Sequence, residues 1–294
     1  MDEHEWLAER FEENRSHLRS VAYRMLGSLT EAEDAVQEAW LRLDRSGADG
    51  VENLGGWLTT VVGRVCLDQL RRRTARREDP LEVHVPEPVV RRLDADGPED
   101  AAVLADSVGL ALLVVLETLS PAERLAFVLH DMFAMPFDEI APIVDRTPAA
   151  ARQLASRARR RVQGTAPAPD PDLARQREVV DAFLAASRGG DFDALLAVLD
   201  PDVVLRADAG AARGGLSKLV RGARAVVEQA LMFSRFAPFA RPALVNGAPG
   251  LVTARGGVPL SVMGFTIAHG KVVEINILAD PARLERLDLT FLDD

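Results

Sequence analysis

Apolar positions in the first part of the chain recur at helical spacing. Leu18, Val21, Ala22, Met25 and Leu26 mark one helix, and Ala35, Val36, Ala39, Trp40 and Leu43 mark the next, so residues 1–45 read as two helices. Gly27 and Ser28 interrupt the pattern. Thr30, with Glu31 and Glu33 behind it, reads as the N-cap of the second helix. Beyond the polar loop Ser46 to Gly56, a long helix from about Trp57 to Arg73 carries Leu58, Val61, Val62, Val65 and Leu70 on one face. Periodicity then fails over 78–107. Pro80, Pro86, Pro88 and Pro98 among nine acidic groups predict a linker or extended segment rather than a core element. Helical spacing returns over 108–163. Ser120-Pro121-Ala122-Glu123 is a helix start, a helix spans roughly Phe137 to Val144, and the turn Asp145-Arg146-Thr147 leads into another that ends near Val162.

A second Pro-rich stretch, 164–171, separates a C-terminal part of different character. Asp172 to Leu199 reads as helical, Asp200-Pro201-Asp202 as a turn, and Val203-Val204-Leu205 as the start of a strand. A helix near Ala223–Met232 precedes short β-branched runs at Ala243–Val245, Gly250–Ala254, Leu260–Ala268 and Val272–Leu278, the last two joined by a hairpin turn at His269-Gly270. Helices followed by strands predict a separate α+β domain. The expected division is 1–79, a linker 80–107, 108–163, a linker 164–171, and 172–294.

Composition supports a globular chain: 294 residues, 48% apolar and 27% charged. No apolar run is long enough to span a bilayer, so no membrane partner is expected. The acidic N-terminus does not read as a signal peptide. The single cysteine, Cys66, leaves no internal disulfide and no Cys-based zinc site, and the cytoplasm is the expected compartment. His84 and His130 have no metal partner at ligand spacing, so neither a metal nor a cofactor is expected.

The net charge of −10 argues against a nucleic-acid partner only until it is divided along the chain. Residues 51–77 hold six basic and two acidic groups, and 108–163 hold seven and six, whereas 1–50 and 78–107 are strongly acidic. Both positive segments end in arginine clusters. In the first, Arg64, Asp68 and Arg71 share a helix face and can pair locally. Arg71, Arg72 and Arg73 cannot all be neutralised there and suit phosphate oxygens, although a solvated helix end is an equal reading. In the second, helix, three-residue turn and helix over Phe137 to Val162 have the spacing of a helix-turn-helix. Its second helix holds Arg152, Arg157, Arg159, Arg160 and Arg161 with no acid. Ala149, Ala150 and Ala151 permit close approach to a groove, Arg152 and Gln153 can reach base edges, and the later arginines meet phosphates. The alternative is an ordinary helical hairpin with a basic surface.

The runs LTEAEDAVQEAWLRL, GGWLTTVVGRVCLDQLRRR and LSPAERLAFVLHDMFAMPFDEIAPIVDRTPAAARQLASRARRRV together resemble bacterial RNA polymerase sigma factors of the extracytoplasmic-function (ECF) class, the first two matching sigma region 2 and the third sigma region 4. The resemblance covers about residues 5–163. It implies promoter-directed initiation with core RNA polymerase, through the β′ clamp helices and the β flap, on promoter DNA. It assigns polymerase binding to Asp34, Gln37, Glu38 and Leu41. It assigns the −10 element to the loop around Asn53 and the helix bearing Trp57, Arg64, Arg71, Arg72 and Arg73. It assigns the −35 element to Thr147, Ala149, Ala150, Arg152, Gln153 and Arg157. A helix-turn-helix regulator acting without region 2 is the alternative.

The C-terminal run REVVDAFLAASRGGDFDALLAVLDPDVVLRAD resembles the opening of a SnoaL-like domain, a cone-shaped α+β fold that some ECF sigma factors carry as a fused regulator. The implied fold class is therefore multidomain: all-α sigma regions 2 and 4, then an α+β SnoaL-like domain. Val85-Pro86-Glu87-Pro88 and Ala279-Asp280-Pro281-Ala282-Arg283-Leu284 look like marks of that subgroup. They imply regulatory contacts at Pro86, Glu87, Pro88, Asp208, Asp280, Pro281 and Leu284, made within the chain between this domain and regions 2 and 4. The subgroup's Asp-Gly-Gly-Gly-Lys run is replaced here by Asp208 to Gly215, DAGAARGG. Related folds use a buried Asp or His for proton transfer. Asp208 is the least bland candidate, ahead of His269 in a turn and Asp280 before a proline, while a non-enzymatic domain is the expected reading.

Overall fold

The structure, a computed structural model, describes residues 3–46, 51, 53–76, 83–93, 108–165, 168–210 and 216–289. It divides into an N-terminal unit, Met1–Glu78 with Val115–Thr165, and a C-terminal unit, Asp79–Val114 with Ala166–Asp294.

The N-terminal unit is helical. Helices α1 (Glu3–Leu26), α2 (Leu29–Ser46) and α3 (Leu54–Arg76) pack through Leu18, Val21, Met25, Ala35, Val36, Leu43, Leu58, Val62 and Leu67, all nearly removed from solvent. Gly27 ends α1 with φ 70°, a conformation a side chain would strain, and its N–H closes on Tyr23 O at 2.8 Å. The cap of α2 is Ser28 rather than the expected Thr30: Glu31 N–H meets Ser28 Oγ at 3.4 Å and Ala32 N–H meets Ser28 O at 3.0 Å. Gly27 turns the chain so sharply that the helix begins earlier than the charge pattern suggested. Cys66 is buried, and desolvation pushes its thiol up to about 12, so it is a packing residue.

Helix α4 (Leu110–Glu117) precedes α5 (Pro121–Phe127), which carries the expected capping box: Ser120 and Glu123 satisfy each other's backbone groups. One π-helical turn, Val128–Met132, extends α5. The helix expected over 137–144 is a single turn, α6 (Phe137–Ile140). The chain then closes back through Arg146 N–H to Ala141 O and takes a left-handed step at Asp145, φ 56°. Helix α7 (Pro148–Thr165) follows, with Ala151, Ala155 and Ala158 fully buried against α5. The second group of helices packs on α3: a methyl built on Gly63 would meet Leu125, Leu129 and Ile143 at 3.6–3.7 Å.

The C-terminal unit is built on a seven-stranded sheet: β1 (Val90–Arg91), β2 (Leu199–Asp208), β3 (Lys218–Arg221), β4 (Ala240–Val245), β5 (Ala248–Arg255), β6 (Val258–Ala268) and β7 (Lys271–Leu278). The order is β1-β4-β5-β6-β7-β2-β3, and among the described residues only β2 and β7 pair in parallel. Helices α8 (Leu173–Gly189), α9 (Phe192–Val198) and α10 (Ala223–Met232) cover one core, centred on Phe183, Leu195, Val203, Phe265 and Ile275. The single helix expected over 172–199 divides at Gly190, φ 65°. Asp200-Pro201-Asp202 lies within β2 at a bulge, where Asp202 N–H closes on Asp200 Oδ1.

A second core holds Val85, Val90, Leu110, Val245, Val252, Leu278 and Leu284, the last on α11 (Pro281–Leu284). This corrects the reading of 78–107 as a linker without core elements. Over its described residues 83–93, Val85, Pro86, Glu87 and Pro88 are buried and Val90–Arg91 is the edge strand on β4. Proline is compatible with that place because an edge strand leaves one row of its N–H groups unpaired.

Candidate functional site

At the start of α7 and along it, Thr147, Ala149, Arg152, Gln153 and Arg157 are exposed and Ala150 is half-buried; Ala149 and Gln153 lie opposite the alanine stripe that packs inward, and Ala150, Arg152 and Arg157 flank it. The Thr147 hydroxyl accepts the Ala150 N–H at 3.3 Å, capping the helix where a proline supplies the first position. Arg152 lies over the Phe137 ring at 5.2 Å. The absence of acids on α7 itself does not leave all five arginines unpaired. Arg157 meets Glu123 of α5 at 2.9 Å, and Arg159 meets Asp131 of the π-helical turn. Burial alone would raise the Glu123 carboxyl, but hydrogen bonds from Arg157 and Ser120 outweigh it and hold it below the usual carboxylate range.

On α3, Asn53 is exposed and caps the helix, its Oδ1 accepting Gly56 N–H at 3.0 Å, while Trp57 is half-buried. Arg64 donates to Pro142 O at 3.3 Å. Arg71 lies 3.7 Å from Asp68, as the spacing predicted, and Arg72 is exposed. Arg73 departs from the expectation of an unneutralised triplet. It donates to Leu26 O at 3.0 Å and pairs with Glu31, tying α3 to the junction of α1 and α2. The partner lies on another helix, which a count along α3 does not reveal. On α2, Asp34, Gln37, Glu38 and Leu41 fall on one outward face. Glu38 holds Arg42 at 3.0 Å, and Leu41 is 40% exposed, an apolar group set among polar ones.

A dense polar cluster among the described residues lies within the C-terminal unit. Asp208, 7% exposed, accepts Val85 N–H at 3.1 Å, Gly210 N–H at 3.1 Å and Arg283 Nη1 at 2.7 Å, with His84 Nδ1 at 3.3 Å. Arg283 also donates to Val85 O and stands 3.5 Å from Glu87, which Arg286 meets at 2.7 Å. Asp280 caps α11 through Ala282 N–H at 3.0 Å, with Pro281 at the first helical position and Leu284 buried. Gly210, φ 75°, lies against the Asp280 carboxylate, where a side chain has no room. The rest of the loop, 211–215, lies outside the described residues.

Desolvation would raise the Asp208 carboxyl, but the His84, Val85 and Arg283 contacts hold it down at about 2. A carboxylate so well satisfied is a weak base. His269 occupies a hairpin turn at φ 54°, its N–H held by Asp170. His130 is used locally, Nδ1 lying 3.0 Å from Met135 O and the ring stacked on Phe137. Among the described residues no group of three potential ligands is placed to hold a metal.

Two residues that sequence reasoning missed complete the arrangement. Asn246, 3% exposed, accepts Val89 N–H at 3.1 Å and donates to Val108 O at 2.9 Å, so it holds the segment between the two helical regions at Val89 and at Val108. The dipeptide Asn246-Gly247 signals a hairpin turn, and both residues take positive φ, but nothing in it signals the side-chain role. Arg124, 2% exposed, donates to Glu117 Oε1 at 2.8 Å and to Arg24 O at 3.0 Å. A buried arginine seven residues from its partner has no sequence signature.

Exposed basic groups on a helix that follows a short helix and turn suit DNA, and comparison with known proteins gives the class. Sigma-70 region 2 matches residues 10–76 and Sigma-70, region 4 matches residues 109–162. The ECF RNA polymerase sigma factor SigJ of Mycobacterium tuberculosis is 43% identical over 286 residues, covering 92% of this chain and 91% of that protein. The probable ECF RNA polymerase sigma factor SigI of the same organism is 36% identical over 291 residues, covering 98% of each. The crystal structure of SigJ superposes with a TM-score of 0.76 at 39% identity, over 96% of this chain and 99% of that one. The chain belongs to the ECF RNA polymerase sigma factors, and its function is promoter-directed transcription initiation with RNA polymerase.

Proposed function

We propose that this sigma factor recognises its promoter through the exposed face of α7 at the −35 element and through α3 with the loop at Asn53 at the −10 element. In this reading it binds the β′ clamp helices through Asp34, Gln37, Glu38 and Leu41 of α2, and region 4 meets the β flap. Residues 1–79 act as region 2, 108–163 as region 4 and 172–294 as the regulatory domain. Arg152 and Gln153 are the base-reading candidates on α7. Arg157 exchanges or shares Glu123 when it meets phosphate, and Arg64, Arg71 and Arg72 serve the backbone near the −10 element. Arg73 has a positioning role. The cytoplasm is the compartment that supplies the partners, and no described helix is long and apolar enough to cross a membrane.

The regulatory part of the proposal rests on one observation. The described part of the segment joining regions 2 and 4 is held in the C-terminal unit at Val85 by Asp208 and Arg283 and at Val89 and Val108 by Asn246. A connector held at these points limits the separations the two regions can adopt, and promoter spacing is read by that separation. Pro86, Glu87 and Pro88 are then regulatory through what buries them, and Asp280, Pro281 and Leu284 through the placing of Arg283. The role is one of restraint and not of catalysis, because the Asp208 oxygens are occupied. Transcription reconstituted from core polymerase with wild-type protein or with Arg283→Ala should differ in yield or in tolerance of altered −35/−10 spacing. Identical output across spacings sinks the regulatory role and leaves promoter direction standing.

A further inference from the structure

The C-terminal unit presents a surface of arginine and phenylalanine that promoter reading does not use. It lies where α10 ends and a 3-10 segment, Ser234–Phe239, leads into β4. Met232 is 60% exposed, Phe233 45% and Phe239 37%. The Phe233 and Phe236 rings lie 6.4 Å apart and nearly parallel, at 26°. The guanidinium of Arg235 sits 4.8 Å from the centre of the Phe236 ring, and that of Arg255, at the end of β5, sits 5.4 Å from the centre of the Phe239 ring. Arg188 fixes the backbone beneath by donating to Ala237 O and Ala240 O at 3.2 and 2.9 Å.

Along the chain, residues 229–273 contain Arg235, Arg241, Arg255 and Lys271 and no acidic residue, although the net charge is −10. The acidic neighbour on α10, Glu228, lies 3.9 Å from Arg224. Arg235 and Arg255 pair with no carboxylate among the described residues; their contacts are the two aromatic rings. A guanidinium laid flat on a ring keeps its N–H edge free for an anion and loses little freedom on binding one. Partly exposed rings, each with one face still open to a further group, and a thioether beside such cations match a polymer that offers flat apolar faces and phosphates in alternation. Duplex DNA hides its base faces in the stack and gives the phenylalanines nothing to meet. A basic protein surface is excluded by charge.

We propose that this surface binds single-stranded DNA without sequence preference. Arg235 and Arg255 hold phosphates, and Phe233 and Phe239 stack on unpaired bases. Transcription initiation opens the duplex and supplies such a strand. The inference goes beyond the promoter reading above and requires none of its residue assignments.

The test uses the full chain and a fluorescein-labelled twenty-nucleotide oligo(dT), with a promoter-free duplex of equal length beside it, followed by anisotropy over a salt series. The double variant Arg235→Glu/Arg255→Glu should bind oligo(dT) about tenfold or more weakly, with the slope of log affinity on log salt reduced by about 1.4, roughly 0.7 for each phosphate no longer neutralised. Phe233→Ala/Phe239→Ala should weaken oligo(dT) about fivefold or more while leaving that slope and the duplex affinity unchanged, because stacking releases no counterions. Helix α3 is intact in both variants, so the difference reports on this surface alone. Wild-type affinity and slope in both variants overturn the proposal. So does a weakening in the phenylalanine variant that is equal on duplex and single strand. Core polymerase binding reduced in both variants, with oligo(dT) binding untouched, also overturns it and assigns the surface to a protein partner.

Discussion

Arg124 and Glu117 meet at 2.8 Å with side chains only 2% and 4% exposed, and the same guanidinium reaches Arg24 O at the end of α1. One arginine of the region-4 half therefore satisfies a buried carboxylate and a carbonyl of the region-2 half. Removing it leaves both without that donor. Arg124→Ala should lower stability by about 3–5 kcal/mol, whereas replacing the pair together by Met and Leu should recover most of that loss. Urea unfolding followed by circular dichroism measures both. A single-variant loss under about 1 kcal/mol would mean that the pair contributes little.

Asp208 titrates at about 2 in the folded protein, below its ordinary value. The unfolded chain takes up the proton first as pH falls. The contribution is therefore complete above about pH 4 and disappears as pH drops toward 2, amounting to roughly 2 kcal/mol. Asp208→Asn should be less stable at neutral pH and show a flatter acid limb between about pH 4 and 2. Parallel acid limbs for the two proteins would contradict this.

Asn246→Ala removes the acceptor for Val89 N–H and the donor for Val108 O, both in the C-terminal unit. Each orphaned buried group costs about 1–3 kcal/mol. Hydrogen exchange should quicken first at Val89 and over β1, while helix α2, in the other unit, keeps its protection. Uniform loss of protection along the whole chain would show that Asn246 supports global folding and not the docking of this segment.

Arg152 and Arg157 should separate in DNA-binding measurements. Arg152 is exposed and has no carboxylate partner among the described residues, so Arg152→Ala should cost about 1–3 kcal/mol on the cognate −35 element if it makes a base contact. Arg157 is already engaged by Glu123 and must exchange or share it to serve DNA, so Arg157→Ala should cost less. A deficit from Arg152→Ala that is equal on all sequences would mark a phosphate contact instead.

The helices of the N-terminal unit were legible because a buried stripe such as Leu18, Val21, Ala22 and Met25 repeats at the helix period and needs no distant information. The capping box at Ser120 and the turn at His269-Gly270 were legible for the same local reason. Pairings across elements were not. Arg157 and Arg73 looked unneutralised because Glu123 and Glu31 lie on other helices. Pro86 and Pro88 looked like linker residues because prolines and acids usually mark solvated chain, and only the sheet edge and Arg283 make that composition a buried one. Asp208 stands out in the sequence by its strand-end position, while nothing local marks Arg283, 75 residues on, as its partner.

The two-residue strand β1 also bears on synthesis. Its partner β4 lies about 150 residues further along the chain. At about 5–20 residues per second, a ribosome takes on the order of ten seconds or more to deliver it. During that interval Val85 and Val90 have no sheet to enter. When β4 does emerge, one edge awaits a strand made long before. A nascent chain halted before residue 240 thus exposes an apolar, proline-containing segment that the finished protein conceals, and its two helical regions remain joined by an untethered connector.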